Sequence, residues 1–210
     1  MIARVRYSKG ESVKYVGHLD TMRTFMRCIK RTVIPVEYSK GFNPRIQISF
    51  ALPLGVGVTS EEEFFDLKIL ERMNEDMFLG ELNSTLPSGF RTYNIEFLDN
   101  DKISLMSLVK EAVYEIRLDC SFEFSKIEEL FREDKILAQK ESKSKKQKEE
   151  LNLKDFIIDI KFNNKEKTLT THTTAGSKNN LNPVLLITTI EKKLGKINNY
   201  DICRKRLILK

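Results

Sequence analysis

A chain of 210 residues with a formal charge of +6, 40% hydrophobic and 31% charged residues, has the make-up of a globular protein of one large or two small domains. It has no apolar run long enough to cross a bilayer and opens on a strand-like segment rather than a leader, so the expectation is a cytoplasmic protein without a membrane part. Cys28, Cys120 and Cys203 are scattered with no CxxC pair, which argues against a zinc knuckle or a self-contained iron–sulfur site; no metal or other cofactor is expected.

Positive charge is spread unevenly, with 13 Lys/Arg against 12 Asp/Glu in residues 1–98 and 23 against 18 after them. An anionic partner such as nucleic acid, or simply a basic globular surface, accounts for that excess.

In chain order, Ile2 to Tyr7 alternates apolar and basic residues as a half-buried strand does. Lys9 to Glu11 reads as a turn, and Val13 to Val16 as a continuation of that strand or its partner. Gly17 falls at a helix N-cap with Asp20 in the capping-box position. Leu19, Met22, Phe25, Met26 and Ile29 then form an apolar stripe. Arg23, Arg27, Lys30 and Arg31 share the opposite face. That face is a solvated one, a phosphate-contacting one, or one paired with Glu61, Glu62 and Glu63 inside the domain.

Val33 to Val36 is extended, and the loop from Tyr38 to Arg45 (Tyr-Ser-Lys-Gly-Phe-Asn-Pro-Arg) follows. Gly41 is expected in a backbone conformation that a side chain would strain, with Pro44 stiffening the turn. A strand from Ile46 to Phe50, another from Glu63 to Leu70, a helix from Asn74 to Leu86 and a strand from Arg91 to Phe97 complete a β-α-β-β-α-β order.

After a linker near residues 98–110 the order repeats. Ala112 to Leu118 is a strand, Phe124 to Arg132 a helix, and Ile136 to Glu141 a strand leading into a lysine-rich run. Phe156 to Phe162 is a strand with Phe156, Ile158, Ile160 and Phe162 on one face, and Lys167 to Thr173 an added strand. Asn182-Pro183 starts a helix that Gly195 closes, and Tyr200 to Leu209 is the last strand. The expected architecture is therefore α+β: two tandem ferredoxin-like domains with antiparallel sheets, 1–98 and 111–210.

The residues Tyr15-Val16-Gly17-His18-Leu19-Asp20, the spacing Arg23-x-x-x-Arg27, the loop Tyr38 to Arg45 and Ala51-Leu52-Pro53-Leu54-Gly55 resemble the radical SAM-linked protein family. This is a bacterial domain of unknown function fused to, or encoded beside, radical SAM proteins. The specific motifs cover roughly the first 65 residues. Gly17 and Arg45 stand where that family often has serine and histidine, so a metal or proton-transfer role at residue 45 is not expected. The resemblance implies an accessory to radical SAM chemistry, with a radical SAM protein as partner and RNA as a further one, in RNA modification or processing. The chain has no CxxxCxxC cluster of its own for that reaction.

Site candidates follow from residue type. His18 is either a general acid or base at its helix start or a hydrogen-bonding structural residue. Tyr38, Lys40, Phe42, Asn43 and Arg45 form either a stacking and phosphate-binding platform or a packed loop that fills the groove between helix and sheet. Lys143, Lys145 and Lys146 suit the tip of a basic hairpin or a solvated loop, and His172 is read as a strand residue. Two functions stay open: an RNA- or partner-binding accessory with no activity of its own, and a metal-independent RNA endonuclease. The second kind of enzyme also pairs two ferredoxin-like domains, but this chain lacks its C-terminal glycine-rich loop.

Overall fold

The computed structural model describes residues 1–99, 103–141, 148–176 and 180–210. The architecture is mixed α+β with mostly antiparallel strand pairing, and five α-helices lie among the described residues. The chain divides into two compact units, Met1–Lys110 with Arg206–Lys210, and Glu111–Lys205. None of the helices is long and apolar enough to cross a membrane, among the described residues.

In the first unit, β1 (Ile2–Lys9) alternates as its sequence dictates, burying Ala3, Val5, Tyr7 and Lys9 while Arg4 and Arg6 face away from the core. It pairs antiparallel with both β3 (Val58–Lys68) and β4 (Phe90–Leu98), and β2 (Ile48–Phe50) pairs antiparallel with β3. Helices α1 (His18–Ile29) and α2 (Glu75–Thr85) complete the unit's β-α-β-β-α-β order, and the single-turn α3 (Leu105–Leu108) follows. Its core is aromatic. The Phe25 ring of α1 lies 5.0 Å from Tyr7, 5.6 Å from Phe50, and 5.3 Å from both Phe65 and Phe90, between centroids. Such tilted and edge-on pairs each add about 0.5–1.5 kcal/mol beyond their area burial.

Several local expectations change. Glu11–Val13 forms a 3₁₀ turn, and the expected strand at Val13–Val16 does not form. The reason is Lys9: its buried ammonium donates to the Lys14 and Val16 carbonyls at 3.1 and 2.7 Å and folds that segment back. The buried side of α1 is Thr21, Phe25, Cys28 and Ile29, so the stripe is rotated and Leu19 is left exposed. On α2, Asn74 caps the helix by accepting from the Met77 amide at 3.0 Å, Phe78 and Leu82 are buried as expected, and Met77 is exposed.

The second unit holds most of β5 (Val109–Cys120), which pairs antiparallel with β9 (Thr168–Thr174), itself paired with β8 (Ile157–Asn163); β10 (Ile197–Leu209), which lies in this unit up to Lys205, neighbours β5. The strand expected as an addition, β9, is thus central. The strand expected in the sheet at 136–141 instead belongs to a separate hairpin, β6 (Leu137–Glu141) with β7 (Lys148–Asn152). An irregularity in β8 between Ile157 and Asp159 breaks the alternation there, and Ile158 ends half exposed. Helix α4 (Ser125–Arg132) buries Ile127, Leu130 and Phe131, and α5 (Pro183–Leu194) buries Leu186, Ile187 and Ile190. Asn182 caps α5 by accepting from the Val184 amide at 3.0 Å, and Gly195 ends it, as the sequence indicates.

Candidate functional site

Between α1 and β2 the chain leaves the core as a hairpin whose stem is well tied. The Glu37 amide donates to the Lys68 carbonyl of β3, the Lys68 amide donates back to Gln47, and Gln47 donates its own amide to Glu37. The Gln47 side-chain amide adds a 2.7 Å bond to the Glu37 carboxylate. Tyr38 bridges Ile46, and above that rung the Ser39 amide donates to the Arg45 carbonyl at 2.8 Å while the Arg45 amide donates to the Ser39 hydroxyl at 3.0 Å. The expected strand at 46–50 is correspondingly split, with only Ile48–Phe50 in the sheet.

Above this closure every residue from Lys40 to Arg45 is exposed. Gly41 has φ +137°, and no atom lies near the place where its Cβ would be. The strain comes from the backbone region itself, which L-residues rarely occupy. Phe42 is fully solvent-exposed at 104%, and Tyr38 is 43% exposed. The reading in which these aromatics fill the groove between helix and sheet is therefore excluded for Phe42. Lys40, Asn43 and Arg45 belong to the same exposed tip. An exposed aromatic ring on a loop that also carries two cations can stack on a planar base or aromatic group while the cations neutralise an anion.

The remaining sequence candidates divide. Arg23 and Arg27 are exposed on α1, and Arg23 is paired with Asp20 at 2.9 Å. Arg31 lies past the helix end and is committed elsewhere: its Nη2 donates to the carbonyl of Thr85, the last residue of α2, at 2.6 Å, and sits 3.5 Å from Cys28 Sγ. One guanidinium nitrogen thus closes the C-terminus of α2, while the residue as a whole stays exposed. The pairing of these arginines with the acidic run on β3 is not what forms; Glu62 meets Arg6 at 3.5 Å. Lys143, Lys145 and Lys146 lie outside the described residues.

His18 occupies a different neighbourhood. It is the first residue of α1, half-buried, with its ring edge-on to Phe50 at 5.8 Å. Burial lowers its pKa below the ordinary histidine value; nearby Glu63 opposes that shift and Lys9 adds to it. Lys9 and Glu63 are both buried, so the sequence reading missed a polar group under the helix start. The signal was available: extending the inward series Ala3, Val5, Tyr7 by one step lands on Lys9. His172 stands on β9 with its Nε2 2.7 Å from Glu111, a cross-strand pair on a partly exposed face.

The chain matches, over residues 3–183, a family described as "Uncharacterized protein conserved in bacteria (DUF2344)". No curated protein matches it. Among solved structures it is similar to one titled "Crystal Structure of an Unknown Protein from Galdieria sulphuraria", at 11% identity, over 100% of this chain and 97% of that one, with a TM-score of 0.29.

Proposed function

The chain belongs to this bacterial DUF2344 family, and we propose that it is an accessory protein that binds single-stranded RNA through the tip of the Tyr38–Arg45 hairpin. The observation that carries the reading is Phe42. A phenylalanine exposed to water, on a loop whose neck is closed by two Ser39–Arg45 bonds, presents its ring to a stacking base. Lys40 and Arg45 of the same tip supply the charge that a phosphodiester requires.

The motifs resembling the radical SAM-linked family make a radical SAM enzyme the protein this module serves, in RNA modification or processing within the cytoplasm. The radical chemistry would then be the enzyme's, since the three cysteines here are scattered along the sequence and make no CxxxCxxC cluster. A tandem ferredoxin-like architecture is part of the same proposal. Its support is the order β4-β1-β3 with β2 beside β3 in one unit and β10-β5-β9-β8 in the other, with the β6–β7 hairpin as an insertion.

Fluorescence anisotropy with labelled oligouridylate tests the reading. Affinity should fall with salt at a logarithmic slope of roughly 0.7 per phosphate contact. Phe42→Ala should weaken binding by about 1–3 kcal/mol with that slope unchanged, because stacking releases no counterions. Arg45→Ala should reduce the slope by about one contact. Wild-type protein with no RNA affinity refutes the proposal, and cleavage of the RNA in EDTA replaces it with the endonuclease reading.

A further inference from the structure

On the sheet face that points away from the aromatic core, the first unit has a cleft of about 580 Å³, a size that holds small ligands. Strand register explains its walls. Arg6 of β1 is opposite Phe64 of β3 and Asn94 of β4, and Arg4 is opposite Asp66 and Glu96. The end of β10, from Arg206 to Leu209, and Lys210 complete the lining, and the Lys210 amide donates to the Leu108 carbonyl at 2.8 Å.

The cations in this cleft are not equivalent. Arg4 is held bidentately by Asp66, at 2.9 and 3.0 Å, with both side chains largely buried, so it acts as a fixed part of the wall. Arg6 is different. Its guanidinium lies over the Phe64 ring at 5.3 Å and 3.5 Å from Glu62, and the side chain is 46% exposed. A planar group held over a ring, with a loose ion pair, keeps donors directed at the cleft. Arg206 and Lys210, both exposed, also line the cleft, and the Asn94 amide offers a neutral donor.

We propose that this cleft binds a phosphate ester whose organic part carries hydroxyl groups, the class of nucleotides and sugar phosphates. Arg6, Arg206 and Lys210 take the phosphate oxygens, since guanidinium forks match a tetrahedral oxyanion. The same walls carry Glu62 and Glu96. Carboxylates repel a bare anion, but they accept hydrogen bonds from the hydroxyls of an ester, so they select the ester over the inorganic ion. The ester has two sources, a free mononucleotide or the phosphorylated end of an RNA chain. The assignment rests on this cleft and not on the hairpin tip.

Calorimetric titration of the full chain decides it, with inorganic phosphate, uridine 5′-monophosphate, and oligouridylate with or without a 5′-phosphate as probes. The nucleotide should bind at least several-fold more tightly than inorganic phosphate. Arg206→Gln, an exposed change that leaves the melting temperature alone, should weaken the nucleotide at least tenfold, and Arg6→Gln should do the same. Phe42→Ala should leave nucleotide affinity unchanged even if it abolishes oligouridylate binding, which separates this proposal from the previous one. Tighter binding of the 5′-phosphorylated oligomer than of the unphosphorylated one, removed by Arg206→Gln, identifies the RNA end as the source; equal affinity identifies the free nucleotide. Failure to bind both phosphate and nucleotide at millimolar concentration, or nucleotide binding indifferent to Arg206→Gln, overturns the assignment.

Discussion

Replacing Gly41 by valine tests whether the hairpin tip is a built element. Gly41 has φ +137°, outside the regions open to a β-branched residue, yet no atom lies within 4 Å of its would-be Cβ. The penalty is therefore one of backbone strain alone, about 1–3 kcal/mol. It has a ceiling, because the tip can escape strain by opening, and opening loses the two Ser39–Arg45 bonds at about 0.5–1.5 kcal/mol each. Both routes give the same range. At about 2–4 °C per kcal/mol for a chain of this size, the melting midpoint should drop by roughly 2–12 °C. Gly89, at φ +101°, is the control. A Cβ there would collide with the Ser12 hydroxyl and come within 2.9 Å of a Val13 methyl, so even Gly89→Ala should cost more than Gly41→Ala. Differential scanning calorimetry on the three variants measures this. A Gly41→Val midpoint equal to wild type would show that the tip has no preferred conformation, and the ordered platform would go with it.

Arg31→Ala should lower stability by about 1–2 kcal/mol, since it removes a 2.6 Å charge-assisted bond at the C-terminus of α2. Arg27→Ala should leave the melting midpoint in place, and equal midpoints for the two variants would contradict that division. His18 titrates below its ordinary value because of burial, so the unfolded chain binds the extra proton first as pH falls. Stability should accordingly decline as pH drops from about 6.5 towards the lower folded value and then level off, and His18→Gln should flatten that segment of a denaturation-versus-pH curve. Tyr93, pushed up to about 12 by burial and then by Glu62, donates its hydroxyl to the Glu61 carbonyl at 3.0 Å. A group raised in the folded state contributes stability that is complete below about pH 10 and lost as pH climbs towards 12, and Tyr93→Phe should delete a step near pH 12 from an ultraviolet tyrosine titration.

The sequence by itself determined most of the element order. Alternation in Ile2 to Tyr7, the apolar positions of α2, and the Asn182-Pro183 start with Gly195 at the end of α5 are local signals, because periodicity and caps depend on neighbours within a few residues. The positive φ of Gly41 was legible for the same reason, and so was the grouping of Tyr38, Lys40, Phe42, Asn43 and Arg45, which sit within one turn of chain. Tertiary structure alone decided the rest. Whether β6 or β9 enters the sheet depends on which edge β5 offers, and no single strand encodes that. Whether Phe42 is buried depends on bonds from Glu37 and Gln47 to Lys68, more than twenty residues away. Arg31 shared a charged face with Arg23 and Arg27 by spacing, yet folding set it beside the Thr85 carbonyl, 54 positions on. The burial of Lys9 and Glu63 beneath His18 and the cleft around Arg6 and Arg206 likewise arise only when strands distant in sequence are brought into register. Long-range pairing places charge, and charge placement is what decides a site.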